Sequence, residues 1–159
     1  PNEFCQLAIE GEMAVKVGED GQIEAAFPII ELHNFIFRAE QKTLVELIAN
    51  NGINAGIVLP EMDWQNSVKY RYEDALLTLF INGLEIGTTG LWPNDDGPEA
   101  SVTWLKNNLE DYGIRLKRGS FVLAGTALGL YSVKNGDEVA VHIDGQLLVS
   151  CTIKSPCNL

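Results

Sequence analysis

Ile9-Glu10-Gly11-Glu12-Met13-Ala14-Val15-Lys16-Val17 decides how the rest of this chain is read. As a strand it alternates after Gly11: Met13, Val15 and Val17 face one way, and Glu12, Ala14 and Lys16 the other. The same period of two puts Glu10 and Glu12 on one side. Two carboxylates close together on one face repel, and water, a cation or a proton held by one of them must offset that. Solvent exposure is the plain answer. A divalent metal is the sharper one, because hard cations take oxygen ligands. A metal site wants a third carboxylate, and Phe27-Pro28-Ile29-Ile30-Glu31-Leu32 offers Glu31, a lone acid ending an apolar run, where a buried charge needs a partner.

Working outward, the 159 residues suit a single domain over 1–159, and a hydrophobic fraction of 46% is enough for a core. The formal charge of −11 argues against nucleic acid, since phosphate binding needs clustered Lys and Arg. It argues against anionic membrane surfaces too. No apolar run reaches the roughly 18 residues of a membrane span. The opening Pro1-Asn2-Glu3-Phe4 has neither a basic nor an apolar leader segment, so no signal peptide is expected. Cys5, Cys151 and Cys157 lack metal-finger spacing and read as reduced thiols of a cytoplasmic protein.

After the first strand, Gly18-Glu19-Asp20-Gly21 is a turn. Residues 22–33 read as a strand pair, or as one long strand broken at Pro28. From Lys42 the period becomes helical through Leu44, Leu47 and Ile48, and Asn50-Asn51-Gly52 closes the segment. Residues 55–59 form a short strand ended by Pro60, and residues 61–73 are polar and irregular. Asn82-Gly83 joins strands at 76–81 and 84–88. A loop over 90–98 leads into a helix from about Glu99, ended by Gly113. Strands follow at 121–124, 138–143 and 147–153, the last two joined by Asp144-Gly145. Strands dominate and two helices are inserted, which gives an α+β class with a strongly bent sheet or barrel.

Gly119-Ser120-Phe121-Val122-Leu123-Ala124-Gly125-Thr126-Ala127-Leu128-Gly129, then Val133-Lys134-Asn135-Gly136-Asp137-Glu138-Val139, resembles the C-terminal signature of the 2-oxopent-4-enoate (2-hydroxypentadienoate) hydratases of the fumarylacetoacetate hydrolase superfamily. Ala100-Ser101-Val102-Thr103-Trp104-Leu105-Lys106-Asn107-Asn108-Leu109, Leu47-Ile48-Ala49-Asn50-Asn51 and Glu10-Gly11-Glu12 resemble the family in the right order. The resemblance implies a mixed β-roll of the fumarylacetoacetase C-terminal type. It implies that Glu10, Glu12 and Glu31 hold Mg²⁺ or Mn²⁺. It further implies that the metal chelates a small 2-oxo acid, and that Gly125 and Thr126 offer a backbone N–H and a hydroxyl to that substrate. The bare residue reading of Gly125 and Gly129 is a bend in a curved sheet.

The chain matches the family's C-terminal catalytic part, and the N-terminal part that carries an acid–base lysine has no counterpart in it. Lys16 and Lys134 read as surface lysines. His33, two residues beyond Glu31 and on the same strand face, is the stand-in for a general base, or a hydrogen-bonding neighbour of the ligands, or a structural histidine. The family has Asp where this chain has Asn50. Two readings follow. One is a metal-dependent hydratase, a lyase, of a 2-oxo or 2-hydroxy dienoic acid. The other is a non-catalytic structural or assembly subunit that kept the fold. A chain without its N-terminal cover is expected to form a homo-oligomer or to bind another protein chain.

Overall fold

The computed structural model describes residues 6–35 and 43–154. Its centre is a long hairpin. Strand β1, Leu7–Val17, runs into β2, Ile23–Asn34, through a single 3-10 turn at Glu19–Gly21 in which Asp20 takes φ 60°. The chain then forms α1, Leu44–Ala49, and β3, Asn54–Val58. The hairpin β4, Leu76–Ile81, and β5, Leu84–Gly90, turns at Asn82-Gly83, where both residues have positive φ. After it come α2, Gly97–Glu110, and the short β6, Phe121–Leu123, and β7, Tyr131–Ser132. Last is the hairpin β8, Glu138–Ile143, and β9, Gln146–Thr152.

These strands make two sheets. One has the order β3-β2-β1-β6, with β7 also pairing β1, and the other β5-β4-β8-β9. The expected class holds: α+β, mostly strand, with two helices and a curled sheet. The pairing corrects one detail. Every pairing among the described residues is antiparallel, so the bent sheet is not mixed. The short turns within each hairpin allow no other pairing between their own strands.

Strand β2 is also unbroken at Pro28, which pairs opposite Met13. The N–H of Ala26 points away from β1 and donates to Ser67 O at 2.8 Å. Pro28, two residues on, has the same orientation, so its missing donor falls on the outer edge. There β3 pairs only from Ile30 onward.

The sheets pack face to face. Ile9, Met13, Val15 and Val17 of β1 are fully buried with Leu77 and Leu79 of β4 and Val139 and Val141 of β8. Each such side chain contributes about 1.5–3 kcal/mol. Gly11 lies on this buried face. A Cβ there would stand 3.1 Å from Val141 Cγ2 and 3.3 Å from Leu79 Cδ1, so the close approach of the second sheet leaves little room for a side chain between Glu10 and Glu12.

Helix α1 opens with a capping box between Thr43 and Glu46, yet it buries none of its residues. Helix α2 starts with Pro98 in its first turn and is closed by Gly113 at φ 68°, with Ile114 N donating to Leu109 O. Cys151 is a free, half-buried thiol; Cys5, Cys157 and Lys42 lie outside the described residues.

Candidate metal centre

The face of the hairpin opposite the main core carries the acids. In antiparallel pairing, residues directly opposite share a face. The register sets Glu10 against Glu31, Ala8 against His33 and Glu12 against Ile29. Glu10, Glu12, Glu31 and His33 therefore stand on one face. Like charges directly opposite are destabilising, so the Glu10–Glu31 pair needs a counter-charge.

The surroundings are dry. Next to Glu12 on this face lies a second apolar cluster of Ala14, Ala25, Phe27 and Ile29, with Phe121 packed edge-on against Phe27. Glu12 is 1% exposed, and its Oε1 is buried with no hydrogen-bond partner. Burial first, then the nearby Glu31 and Glu10, push its carboxyl up to about 9.

His33 is the basic side chain of the group. Its Nε2 lies 3.4 Å from Glu10 Oε2 and 3.3 Å from Glu31 Oε2. These are ion-pair distances without hydrogen-bond alignment, and both ring nitrogens are buried without a hydrogen-bond partner. Charge attraction needs no such alignment. Burial opposes the charged ring, but Glu10 and Glu31 outweigh it and raise the imidazole to about 10. For Glu31, burial is again the largest influence and acts upward. His33 and Asn54 together overcome it and hold the carboxyl below its ordinary value. Asn54 Nδ2 donates to Glu31 Oε1 at 2.7 Å.

Asn54 has no signal in the sequence. It is a polar residue ahead of a short apolar strand, and only the β2–β3 register brings it to Glu31. That register carries a bulge, with Leu32 opposite Gly56 and His33 opposite Asn54.

One oxygen each of Glu10 and Glu31 and one nitrogen of His33 lie within 4.8 Å of one another. These two oxygens and the ring nitrogen suit a divalent cation, whereas Glu12 stands outside the converging set, its buried Oε1 unpartnered on the same face. A depression of about 450 Å³ reaches Glu31 and Asn54, walled by Phe121 and Leu123. A larger one, about 530 Å³, lies at the far end of the hairpin against Gly21, Lys106 and Arg118, away from the acids.

Gly125 and Thr126 lie close by in register. Leu123 pairs with Ala14, and Ala124 N donates to Met13 O, so the loop beginning at Gly125 leaves the β1 edge beside Glu12. The chain rejoins β1 at Ile9, opposite Tyr131. Gly125 has φ 83°, which favours glycine, and Thr126 Oγ1 accepts a hydrogen bond from Leu128 N.

No family model matches the chain, and no curated protein matches it. Solved structures do. The 4-oxalocrotonate decarboxylase of Pseudomonas putida G7, complexed with magnesium and adipate, aligns with TM-score 0.77 and 20% identity over 94% of this chain and 61% of its own. Fumarylpyruvate hydrolase from Pseudomonas aeruginosa, in complex with Mn²⁺ and pyruvate, aligns with TM-score 0.64 and 12% identity over 98% of this chain and 69% of its own. The 2-hydroxyhepta-2,4-diene-1,7-dioate isomerase of Mycobacterium marinum aligns with TM-score 0.61 and 15% identity over 94% and 59%. The chain thus spans about three fifths of the length of the decarboxylase and the isomerase. At these identities the likeness is one of fold alone, and the fold is the one these enzymes share over most of this chain.

Proposed function

We propose that this chain is the metal-binding part of a divalent-metal-dependent enzyme acting on a small 2-oxo acid. The reaction class implied by the sequence resemblance is hydration of a 2-hydroxy dienoic acid, a lyase reaction. The observation that carries the reading is the set of three carboxylates, Glu10, Glu12 and Glu31, on one strand face, with Glu12 and Glu31 buried. A fold spends stability to keep such a group, since unpaired buried charge is costly.

Glu10, Glu12 and Glu31 would hold Mg²⁺ or Mn²⁺. The ion supplies Lewis-acid polarisation of the 2-oxo group. Asn54 fixes the orientation of Glu31. The apolar neighbours Phe27 and Ile29 keep Glu12 dry, which strengthens charge interactions there. The Thr126 hydroxyl accepts from Leu128 N and so keeps its own proton to donate to a substrate oxygen beside Gly125. Among the described residues, His33 is the only basic side chain in ion-pair contact with the acids. Among the described residues no separate acid or base stands beside the acids, and such a group typically contributes 10²- to 10⁴-fold. The isolated chain is therefore expected to bind an oxalate-like mimic while turning over dienoates slowly. It works in the cytoplasm, as a homo-oligomer or with another chain.

One observation favours the second reading, a non-catalytic subunit. His33 already sits between Glu10 and Glu31 and offsets their charge without a metal. Thermal melts with and without Mn²⁺ separate the two. At an ion concentration 100-fold above Kd, binding stabilises by about 2.7 kcal/mol. That corresponds to about 5–10 °C for a chain of this size. Glu12→Gln should lose the shift. A wild-type chain that shows no metal-dependent shift overturns the enzyme reading in favour of the subunit.

A further inference from the structure

The metal-site reading above leaves open what completes the donor set, and three observations single out His33. The first is its placement. The bulge between Leu32 and His33 turns the ring to its position opposite Asn54, and its other neighbour across the pairing is Ala8, whose small side chain leaves room beside Glu10.

The second is spacing. Nε2 stands 3.4 Å from an oxygen of Glu10 and 3.3 Å from an oxygen of Glu31. Two donors each about 2.0–2.2 Å from one ion are held about 3.0–3.5 Å apart at octahedral to tetrahedral angles. The ring nitrogen already sits at the separation of neighbouring ligands.

The third is that its buried ring nitrogens lack aligned hydrogen bonds, Nε2 having only the two carboxylate contacts. His33 is 7% exposed, and neither ring nitrogen has an aligned hydrogen-bond partner. A histidine kept only for packing places its nitrogens on partners, because an unmet buried donor or acceptor costs about 1–3 kcal/mol. The Oε1 of Glu12, behind the same group, is buried and unpartnered as well.

We infer that His33 is itself a ligand, supplying Nε2 beside the oxygens of Glu10 and Glu31, and that this mixed nitrogen–oxygen set favours borderline transition-metal ions such as Co²⁺ or Zn²⁺ over Mg²⁺. Imidazole suits those ions, whereas Mg²⁺ prefers oxygen and water. A ligated Nε2 has no lone pair with which to accept a proton, so the inference moves His33 from general base to metal holder.

The test uses Mn²⁺ as a paramagnetic probe on the full chain. Electron spin-echo modulation of the bound ion should show coupling to an imidazole nitrogen. The chain has two histidines, and the second, His142, lies on β8 of the other sheet with Nδ1 at Gly145 O. The coupling should vanish in His33→Gln and persist in His142→Gln. If His33→Gln does not fold, persistence in His142→Gln alone assigns the signal to His33. Affinity for Mn²⁺ should fall about a hundredfold in a folded His33→Gln. Co²⁺ should displace Mn²⁺ at a concentration at least about tenfold below that of Mg²⁺. Mn²⁺ bound with no nitrogen coupling, or with coupling lost in His142→Gln, overturns the ligand role while the carboxylate site stands. Failure of the wild-type chain to bind Mn²⁺ overturns both.

Discussion

Glu12 and His33 carry the electrostatics of the site, and their protonation ties its state to pH. The Glu12 carboxyl rises from 4.5 to about 9, chiefly by burial, and the His33 imidazole from 6.5 to about 10 through Glu10 and Glu31. Both groups hold a proton more tightly folded than unfolded. The His33 contribution is complete below pH 6.5 and is lost as pH rises through about 10. Glu12 acts in the same sense between 4.5 and about 9, since a folded chain that must give up that proton loses stability. Glu31, held below its ordinary value, acts oppositely, and its contribution disappears on acidification. The metal-free chain should therefore melt at progressively lower temperature from neutral pH up to about 10. Melts in chelator over a pH series check this, and Glu12→Gln should flatten the slope. A divalent ion competes with these protons, so its apparent affinity should increase over the same range, as titration calorimetry would show through proton release.

At the scale of elements, the β1–β2 hairpin serves two faces at once. Its apolar residues anchor the second sheet, and its acids face the other way. Gly11 is where the two demands meet, because Val141 and Leu79 occupy the space a side chain would need. Gly11→Ala should destabilise by about 1–3 kcal/mol, the usual range for overpacking. It should also weaken metal binding, because a shift of β1 moves Glu10 and Glu12 together. Chemical denaturation of Gly11→Ala, Val141→Ala and the double variant checks the cause. The double variant should be less damaged than the sum of the singles, since the two sites touch. Additive losses would place the effect elsewhere.

At the scale of the molecule, the apolar surface is unevenly distributed. Leu44, Val45 and Ile48 of α1 are all about 70% exposed or more, and Trp104 of α2 is 67% exposed. A six-residue helix with no buried side chain has little to hold it in isolation. Exposed apolar side chains clustered on α1 mark a candidate interaction site. Sedimentation at micromolar concentration should show an oligomer, or a complex when a partner chain is supplied. A monomer over that whole range counts against assembly.

The strand alternation of residues 9–17 was enough to put Glu10 and Glu12 on one face, because a period of two is a local property of the backbone. Turn chemistry at Asn82-Gly83 and Asp144-Gly145 fixed two hairpins for the same reason, since positive φ at these residues selects tight turns. The helix over α2 was legible from its apolar spacing and from Gly113. Pro28 was read as a break because local propensity cannot show on which edge a missing N–H falls, and only the open outer edge of β2 makes it harmless. Antiparallel pairing throughout, rather than a mixed sheet, likewise depends on which hairpins meet. Glu31 against Glu10, His33 between them and Asn54 on Glu31 are matters of register across 21 to 23 residues, and one residue of slip would turn Glu31 to the opposite face. The residue types of the site were written in the sequence. Their burial, and the pKa values that follow from it, arise only when Phe27, Ile29 and Phe121 close over the same face, because desolvation belongs to the packed structure and not to any stretch of chain.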